Sequence, residues 1–427
     1  MTGKQRGKSE AGQGGVRPVC PRFCNGRFQK RKDLFTMYDF DKVVDRRGTS
    51  SIKWNFQNSF GQHDGLLPYW IADTDFATAP EVVQALQKRC DHPVIGYSKP
   101  LPGVYTAIQG WWDRRHGWKP ETDWMLLSYG VVTGIYFTLD TVVPKGEKVL
   151  TFTPVYDPFF AAIKNSGHTL VDCPLDHKDN YYTINWELLE KELADGVKAV
   201  VFCNPHNPTG HVWSKEEMIA VVELCDKYGM LICSDEIWAD FQTGGHKHVP
   251  LHTCCPRAKE IVFSMYAPSK TFNLAGLCYA SIIIPNDEVR AKFQKQMGLQ
   301  AFMHIERFGP VAHEAAYRHG AGWLEELIQV IKGNYEYVRD FFAQHFPGVV
   351  ELEGAYLVWC DFRCFGMSDA DMKVFLTDEC MLYLDNGTDF GAAGSGYQRI
   401  NVACPRKTLA DALDRFYQAA RKRGMAR

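Results

Sequence analysis

Lys270 sits in a setting that can turn an amine into a reagent. It follows an apolar, strand-like run, Ile261-Val262-Phe263, lies between the hydroxyls of Ser269 and Thr271, and precedes Phe272-Asn273-Leu274-Ala275-Gly276. A lysine at the end of a buried strand is either a solvated end-cap or an amine used in chemistry. Two earlier runs finish in the same manner. Ala199–Cys203 enters Asn204-Pro205-His206-Asn207-Pro208-Thr209-Gly210, a turn-forming loop whose X-Pro units present the Asn207 amide. Leu231–Ser234 enters Asp235-Glu236, where a carboxylate either caps a turn or serves as an acid. Three consecutive strand ends thus deliver an amide, an acid and an amine. Burial lowers a lysine from its ordinary value of about 10.4 towards a usable base and nucleophile, and a buried carboxylate favours a cation beside it.

The elements that must position these groups alternate strand and helix. Nearly continuous, β-branched runs recur at Lys148–Phe152, Ala199–Cys203, Leu231–Ser234, Ile261–Ser264 and Ala280–Ile284, as expected of strands covered on both faces. Between two of them, Ser214 and Glu217 have capping-box spacing, Met218, Val221, Val222 and Cys225 mark one helical face, and Gly229 ends the segment. This rhythm predicts an α/β fold, a mainly parallel sheet flanked by helices, with ligands at the carboxyl ends of its strands. From Trp323 the pattern changes. Leu324, Leu327, Ile331, Tyr335, Val338 and Phe341/Phe342 predict a long amphipathic helix up to Pro347, followed by strand-like Gly354–Cys360, a polar helix near Ser368–Cys380, strand-like Gln398–Ala403 and a basic final helix. The expected organisation is a basic, disordered extension over 1–36, an N-terminal segment of a smaller α+β domain over 37–85, a large domain over 86–322, and the rest of the small domain over 323–427. The extension carries nine Lys/Arg against two acidic residues, and Met37, which opens the first patterned segment, is an alternative start. Asp73 and Asp75 could form an acid pair for general acid/base work, but beside a helix opened by Pro80 they read more simply as a turn and N-cap.

Composition excludes several classes. The chain has 427 residues, room for two or three domains, and a formal net charge of −2, which supplies no field for nucleic acid or membrane surfaces. No apolar run approaches the roughly 18–20 residues of a membrane span, and no secretory segment opens the chain. The 14 cysteines are scattered. The close pairs Cys20/Cys24 and Cys254/Cys255 lack a second pair or a histidine at zinc-finger spacing, and His246 and His248 lack further ligands, so no metal is expected. Single thiols in apolar runs fit a reducing compartment, and the cytoplasm is the expected location.

Taken in order, Asn-Pro-x-Asn-Pro-Thr-Gly, Asp235 and Ser269-Lys270-Thr271-Phe272-Asn273-Leu274-Ala275-Gly276 resemble the fold type I pyridoxal 5'-phosphate (PLP) enzymes, the aspartate aminotransferase superfamily, over residues 38–427. The resemblance implies PLP as cofactor, with Lys270 as the catalytic residue joined to its aldehyde, Asp235 paired with its pyridine nitrogen and Asn207 bonded to its ring oxygen. Gly130-Val131-Val132-Thr133-Gly134 matches the family's phosphate loop, placing Val131 and Val132 at the phosphate with Ser269. Tyr156 matches the aromatic over the ring. Tyr97, in Gly96-Tyr97-Ser98, matches a tyrosine that reaches the phosphate of the neighbouring subunit, which implies a homodimer with shared sites. Arg399 matches the arginine that holds a substrate α-carboxylate, a task suited to a planar guanidinium.

Cys278 stands where many aminotransferases carry an arginine. With Asp45-Arg46-Arg47-Gly48-Thr49, Lys53-Trp54, Trp70-Ile71-Ala72-Asp73-Thr74-Asp75-Phe76 and Gly245-His246-Lys247-His248, this looks like the carbon–sulfur lyase branch, the cystathionine β-lyases related to maltose-regulon modulators. Departures from that branch are Trp238, where a histidine or tyrosine is usual, Tyr266 and Ala267, where relatives place a hydroxyl, and Leu384-Asp385-Asn386-Gly387, in place of an apolar-proline turn. The implied activity is PLP-dependent β-elimination from S-substituted L-amino acids such as cystathionine. The alternatives are an aminotransferase and a PLP-bound regulatory protein with incidental lyase activity.

Overall fold

Seven strands form the central sheet of the computed structural model, which describes residues 38–55, 65–100, 102–300, 306–346 and 348–426. The basic stretch 1–36, with Cys20 and Cys24, lies outside the described residues, as do Met37 and Pro347. The strands are β1 (Met125–Ser128), β2 (Lys148–Thr153), β3 (Thr169–Pro174), β4 (Val197–Cys203), β5 (Leu231–Asp235), β6 (Val262–Tyr266) and β7 (Ala280–Ile283), in the spatial order β1-β7-β6-β5-β4-β2-β3. The run β3-β2-β4-β5-β6 is parallel throughout, and β7 is antiparallel to both its neighbours.

The continuous apolar runs are explained by cover on both faces. Along β4, Val200 and Phe202 join one buried cluster with Met218, Val221, Val222 and Cys225, while Ala199, Val201 and Cys203 join another with Val131, Ile135 and Phe159. The helix α1 (Val131–Val142) covers the second of these faces. The helix α2 (Lys215–Lys227) starts at the expected capping box: Ser214 Oγ accepts from Glu217 N at 3.2 Å and Glu217 Oε2 accepts from Ser214 N at 2.8 Å. The two edge strands β1 and β3 are not among the expected runs. β1 is only four residues long, with Met125, Leu127 and Ser128 buried, and β3, half-covered at the edge, buries only Cys173.

The second half of the chain supplies the long helix α3 (Ala321–His345), with Trp323, Leu324, Leu327, Ile331, Val338 and Phe342 buried. Beyond it, β8 (Leu357–Asp361), β9 (Asp385–Asn386) and β10 (Tyr397–Asn401) form an antiparallel sheet with β10 in the middle. A short parallel pairing, Leu67–Pro68 with Leu382–Tyr383, ties the N-terminal segment to this part of the chain.

The segment that follows Leu67–Pro68, Trp70 to Phe76, is a strap laid across the strand ends. It has little regular structure, so its backbone groups need outside partners. Asn401 Nδ2 donates to the carbonyls of Ile71 and Asp73, both at 2.7 Å. Asn273 donates to Thr74 O at 3.0 Å and Phe76 O at 3.1 Å, and accepts from Thr74 N at 3.1 Å. Asp73 and Asp75 do not cap the helix Pro80–Cys90, whose N-cap is Ala79 without a side-chain bond. They instead close an ion cluster: Arg46 lies 2.6 Å from Asp73 and 2.9 Å from Asp75, and Lys53 lies 2.8 Å from Asp75. Two cations from an earlier loop outcompeted the local turn. The Lys53 side chain is 1 % exposed, so removing its nearer carboxylate leaves a buried ammonium facing the Asp73 carbonyl at 3.2 Å and the Asp73 carboxylate at 3.5 Å. Asp75→Ala is therefore expected to cost about 3 kcal/mol or more, read as a lowered urea midpoint with an unchanged slope.

Candidate active site

The carboxyl ends of β4, β5 and β6, the start of α1 and the strap enclose a cavity of about 360 Å³, within the range of small-molecule sites. Val131, Val132, Tyr156, Asn207, Asp235, Ser269 and Lys270 all line it.

Lys270 lies on the short helix Pro268–Thr271, directly after β6. Its Nζ donates to the carbonyl of Ala72 on the strap at 2.7 Å and lies 5.7 Å from the centroid of the Trp238 ring. Burial brings the amine down from its ordinary value to about 8, with Arg399 acting in the same direction and Asp73 and Asp235 against it. Asp235 ends β5 in register with Cys203 and Met265, two apolar neighbours. Its carboxylate accepts from Ile237 N at 3.0 Å. Burial pushes it up to about 7, against the pull of that N–H and of Lys270. A carboxylate so placed is short of positive charge.

Asn207 is fixed from two sides. Its carbonyl accepts from Tyr156 N at 3.1 Å, which ties the β4 loop to the β2 loop, and its side-chain oxygen accepts from Arg399 Nη1 at 2.8 Å. Tyr156 packs edge-on to Phe159, and burial pushes its hydroxyl up to about 12. At the opposite wall α1 begins at Gly130, whose φ of 109° is open to glycine and strained for other residues. Among the described residues no side chain caps this terminus. The first N–H groups of a helix have no acceptor within it, so Val131 and Val132 offer donors and the positive end of a helix dipole to the cavity.

These features suit PLP. The carboxylate seeking a cation matches a protonated pyridine nitrogen, the uncapped helix start matches a phosphate, and the amine of lowered pKa matches the aldehyde.

Two further residues named from sequence are not in the cavity wall. Arg399, on β10, reaches the cavity through Asn207. Tyr97 is 95 % exposed and does not line its own chain's cavity. Trp238 stands on the wall, edge-on to Tyr356, and Cys278 stands there at a left-handed φ of 44°. Tyr266 does not line the cavity; its ring packs on Trp112 with centroids 3.9 Å apart. His248 is used structurally, with Nε2 2.8 Å from buried Glu236, which also accepts from Ser234 and Ser264.

The wall also holds Ala72, Tyr129, Ile237, Ala275 and Tyr279, which sequence reasoning did not single out. Tyr129 and Tyr279 flank motif residues and could have been found by adjacency. The Ala72 carbonyl carries no sequence signal, since every residue has one. Asp385 was noted only as a departure from a pattern, yet its carboxylate accepts from Arg399 Nη2.

Comparison with known proteins matches this geometry to a family. The model for aminotransferase class I and II matches residues 71–416. Cystathionine beta-lyase PatB of Bacillus subtilis is 37 % identical over 89 % of this chain and 99 % of its own. The crystal structure of cystalysin from Treponema denticola, which contains a pyridoxal 5'-phosphate cofactor, superposes with a TM-score of 0.88 at 34 % identity, covering 91 % of this chain and 100 % of that one. The PLP-bound C–S lyase from Staphylococcus hominis gives a TM-score of 0.83 at 28 % identity, over 90 % and 98 % of the two chains. With its strand-end lysine, aspartate and asparagine around one cavity, the chain belongs to the aminotransferase class I and II family.

Proposed function

We propose that this protein is a PLP-dependent carbon–sulfur β-lyase that converts cystathionine or related S-substituted L-cysteines, with water, to thiol, pyruvate and ammonia. The observation that carries the reading is the joint one. A lysine amine brought to about 8 and a buried carboxylate share one cavity, in a chain that aligns along almost its whole length with a cystathionine β-lyase.

Bound PLP supplies an electron sink for negative charge developing at the substrate α-carbon. The chain's own residues do the rest. Asp235 holds the proton on the ring nitrogen, and in exchange gains the cation that its site lacks. Asn207 would bond the ring oxygen, Tyr156 would lie against the ring, and the Val131 and Val132 N–H groups with the Ser269 hydroxyl would hold the phosphate. Arg399 takes the α-carboxylate. Lys270 Nζ removes the proton from the α-carbon, for which it must be neutral, and its lowered pKa makes the neutral form accessible near pH 8. Sulfur then departs from the β-carbon as thiolate.

Exposed Tyr97 is assigned to the phosphate in the cavity of a partner subunit, in a homodimer. The described cysteines are free thiols, which supports a cytoplasmic location, and among the described residues no helix is long and apolar enough to cross a membrane. The large, cofactor-holding domain is assigned to 86–322 and the small one to 37–85 with 323–427.

Two outcomes test this reading. Incubated with cystathionine and no keto-acid acceptor, the enzyme should release pyruvate and thiol; a strict need for an acceptor would indicate an aminotransferase instead. The second test concerns Asp235. Its value in the folded protein, about 7, lies above the ordinary 3.8, so its contribution to stability is whole below the ordinary value and lost as pH rises through 7. In protein stripped of cofactor, Asp235→Asn should melt progressively above wild type between about pH 4 and pH 7, by several degrees at the top of that range. Added PLP should reverse the ranking, because only the carboxylate can pair with the ring cation.

A further inference from the structure

Arg399 does not wait for a substrate with empty hands. It lies directly across from Asp385 in the β9–β10 pairing. Its Nη2 donates to the Asp385 carboxylate and, at 2.9 Å, to the carbonyl of Trp70. Nη1 donates to Asn207 at 2.8 Å, and Nε is buried with no hydrogen-bond partner among the described residues. The guanidinium is 4 % exposed and stacks over Phe390, 4.7 Å from the ring centroid. A guanidinium takes a carboxylate bidentately along an edge of two N–H groups, and each of its two usable edges includes Nη2. Both hydrogens of Nη2 are taken. Asp157 and Asp389 place further negative charge around the same pair.

We propose that Asp385 determines specificity by competing with the substrate's α-carboxylate for Arg399, so that the site prefers free acids only weakly and extends to S-substituted L-cysteinamides, whose α-carboxamide is neutral. The proposal rests on the reading of Arg399 as the carboxylate holder. To seat an acid, Arg399 must release Asp385 into a region that already holds two other carboxylates. To seat an amide, it can keep Asp385 and lend a single N–H from Nε, while the amide oxygen accepts. The opposing possibility is that Asp385 merely orients Arg399. The two roles differ in sign: a competitor's removal strengthens acid binding, whereas loss of an orienting partner weakens it.

The test uses the holoenzyme, S-methyl-L-cysteine and its amide as substrates, and propionate as an amine-free carboxylate inhibitor. Asp385→Asn and Asp385→Ser should each lower KM for the acid and Ki for propionate by about fivefold or more. The change should fall on KM rather than kcat, and the acid-to-amide ratio of kcat/KM should rise. An unchanged or raised KM and Ki would overturn the proposal, as would loss of bound PLP in both variants, since a competitor is not needed for folding. Arg399→Lys separates the two levels. If it leaves KM for the acid unmoved, the carboxylate-holder reading itself fails; if it raises KM while the Asp385 variants do not lower it, only the competition fails.

Discussion

A carboxylate buried at the end of a parallel strand, with no full counter-charge of its own, is the constraint around which this molecule is built. Asp235 has apolar neighbours in register on both sides, one backbone N–H and a lysine that burial has itself made reluctant to carry charge. Neither group is at ease alone. A low-dielectric setting penalises the charged form of each, and their mutual attraction offsets only part of that. A ligand carrying a ring cation and an aldehyde relieves both at once. The fold thus holds a site whose stability and chemistry are the same problem.

Holding that site open falls to polar groups far apart in sequence. The strap Trp70 to Phe76 closes the cavity and gives Lys270 a hydrogen-bond acceptor, the Ala72 carbonyl, which Tyr356 also reaches at 3.1 Å. The strap is in turn held by Asn273 just after the lysine, by Asn401 and Arg399 from β10, and by the cations Arg46 and Lys53. Elements from both ends of the chain therefore set the position of one amine. Among the residues that carry the resemblance to the carbon–sulfur lyase branch, Trp70–Phe76 form the strap, and Arg46, Lys53 and Trp54 fasten it through Asp73 and Asp75.

Much of this was legible in the residues. The strand runs and the capping box of α2 announce themselves because interior strands and helix starts leave local chemical signatures, apolar continuity and a hydroxyl three positions before a carboxylate. Lys270, Asp235 and Asn207, which line one cavity, stand out in the sequence for the same reason, as polar residues that follow apolar runs. What stayed hidden depends on pairing across distance. The edge strand β3 buries only Cys173 and so lacks the apolar run, and β1 is only four residues long. Asp73 and Asp75 look like turn residues until Arg46 and Lys53 are seen against them. The Ala72 carbonyl is invisible to any reading of side chains, and Asp385 gains its meaning only from standing opposite Arg399 on β10.

The central claim is that Lys270 is the amine joined to the cofactor. Borohydride reduction of the PLP-loaded enzyme, followed by proteolysis and mass mapping, tests it directly. The account predicts that a stable pyridoxyl group is carried by the peptide containing Lys270. Its presence on another lysine, including the buried Lys53, with Lys270 unmodified, would contradict it.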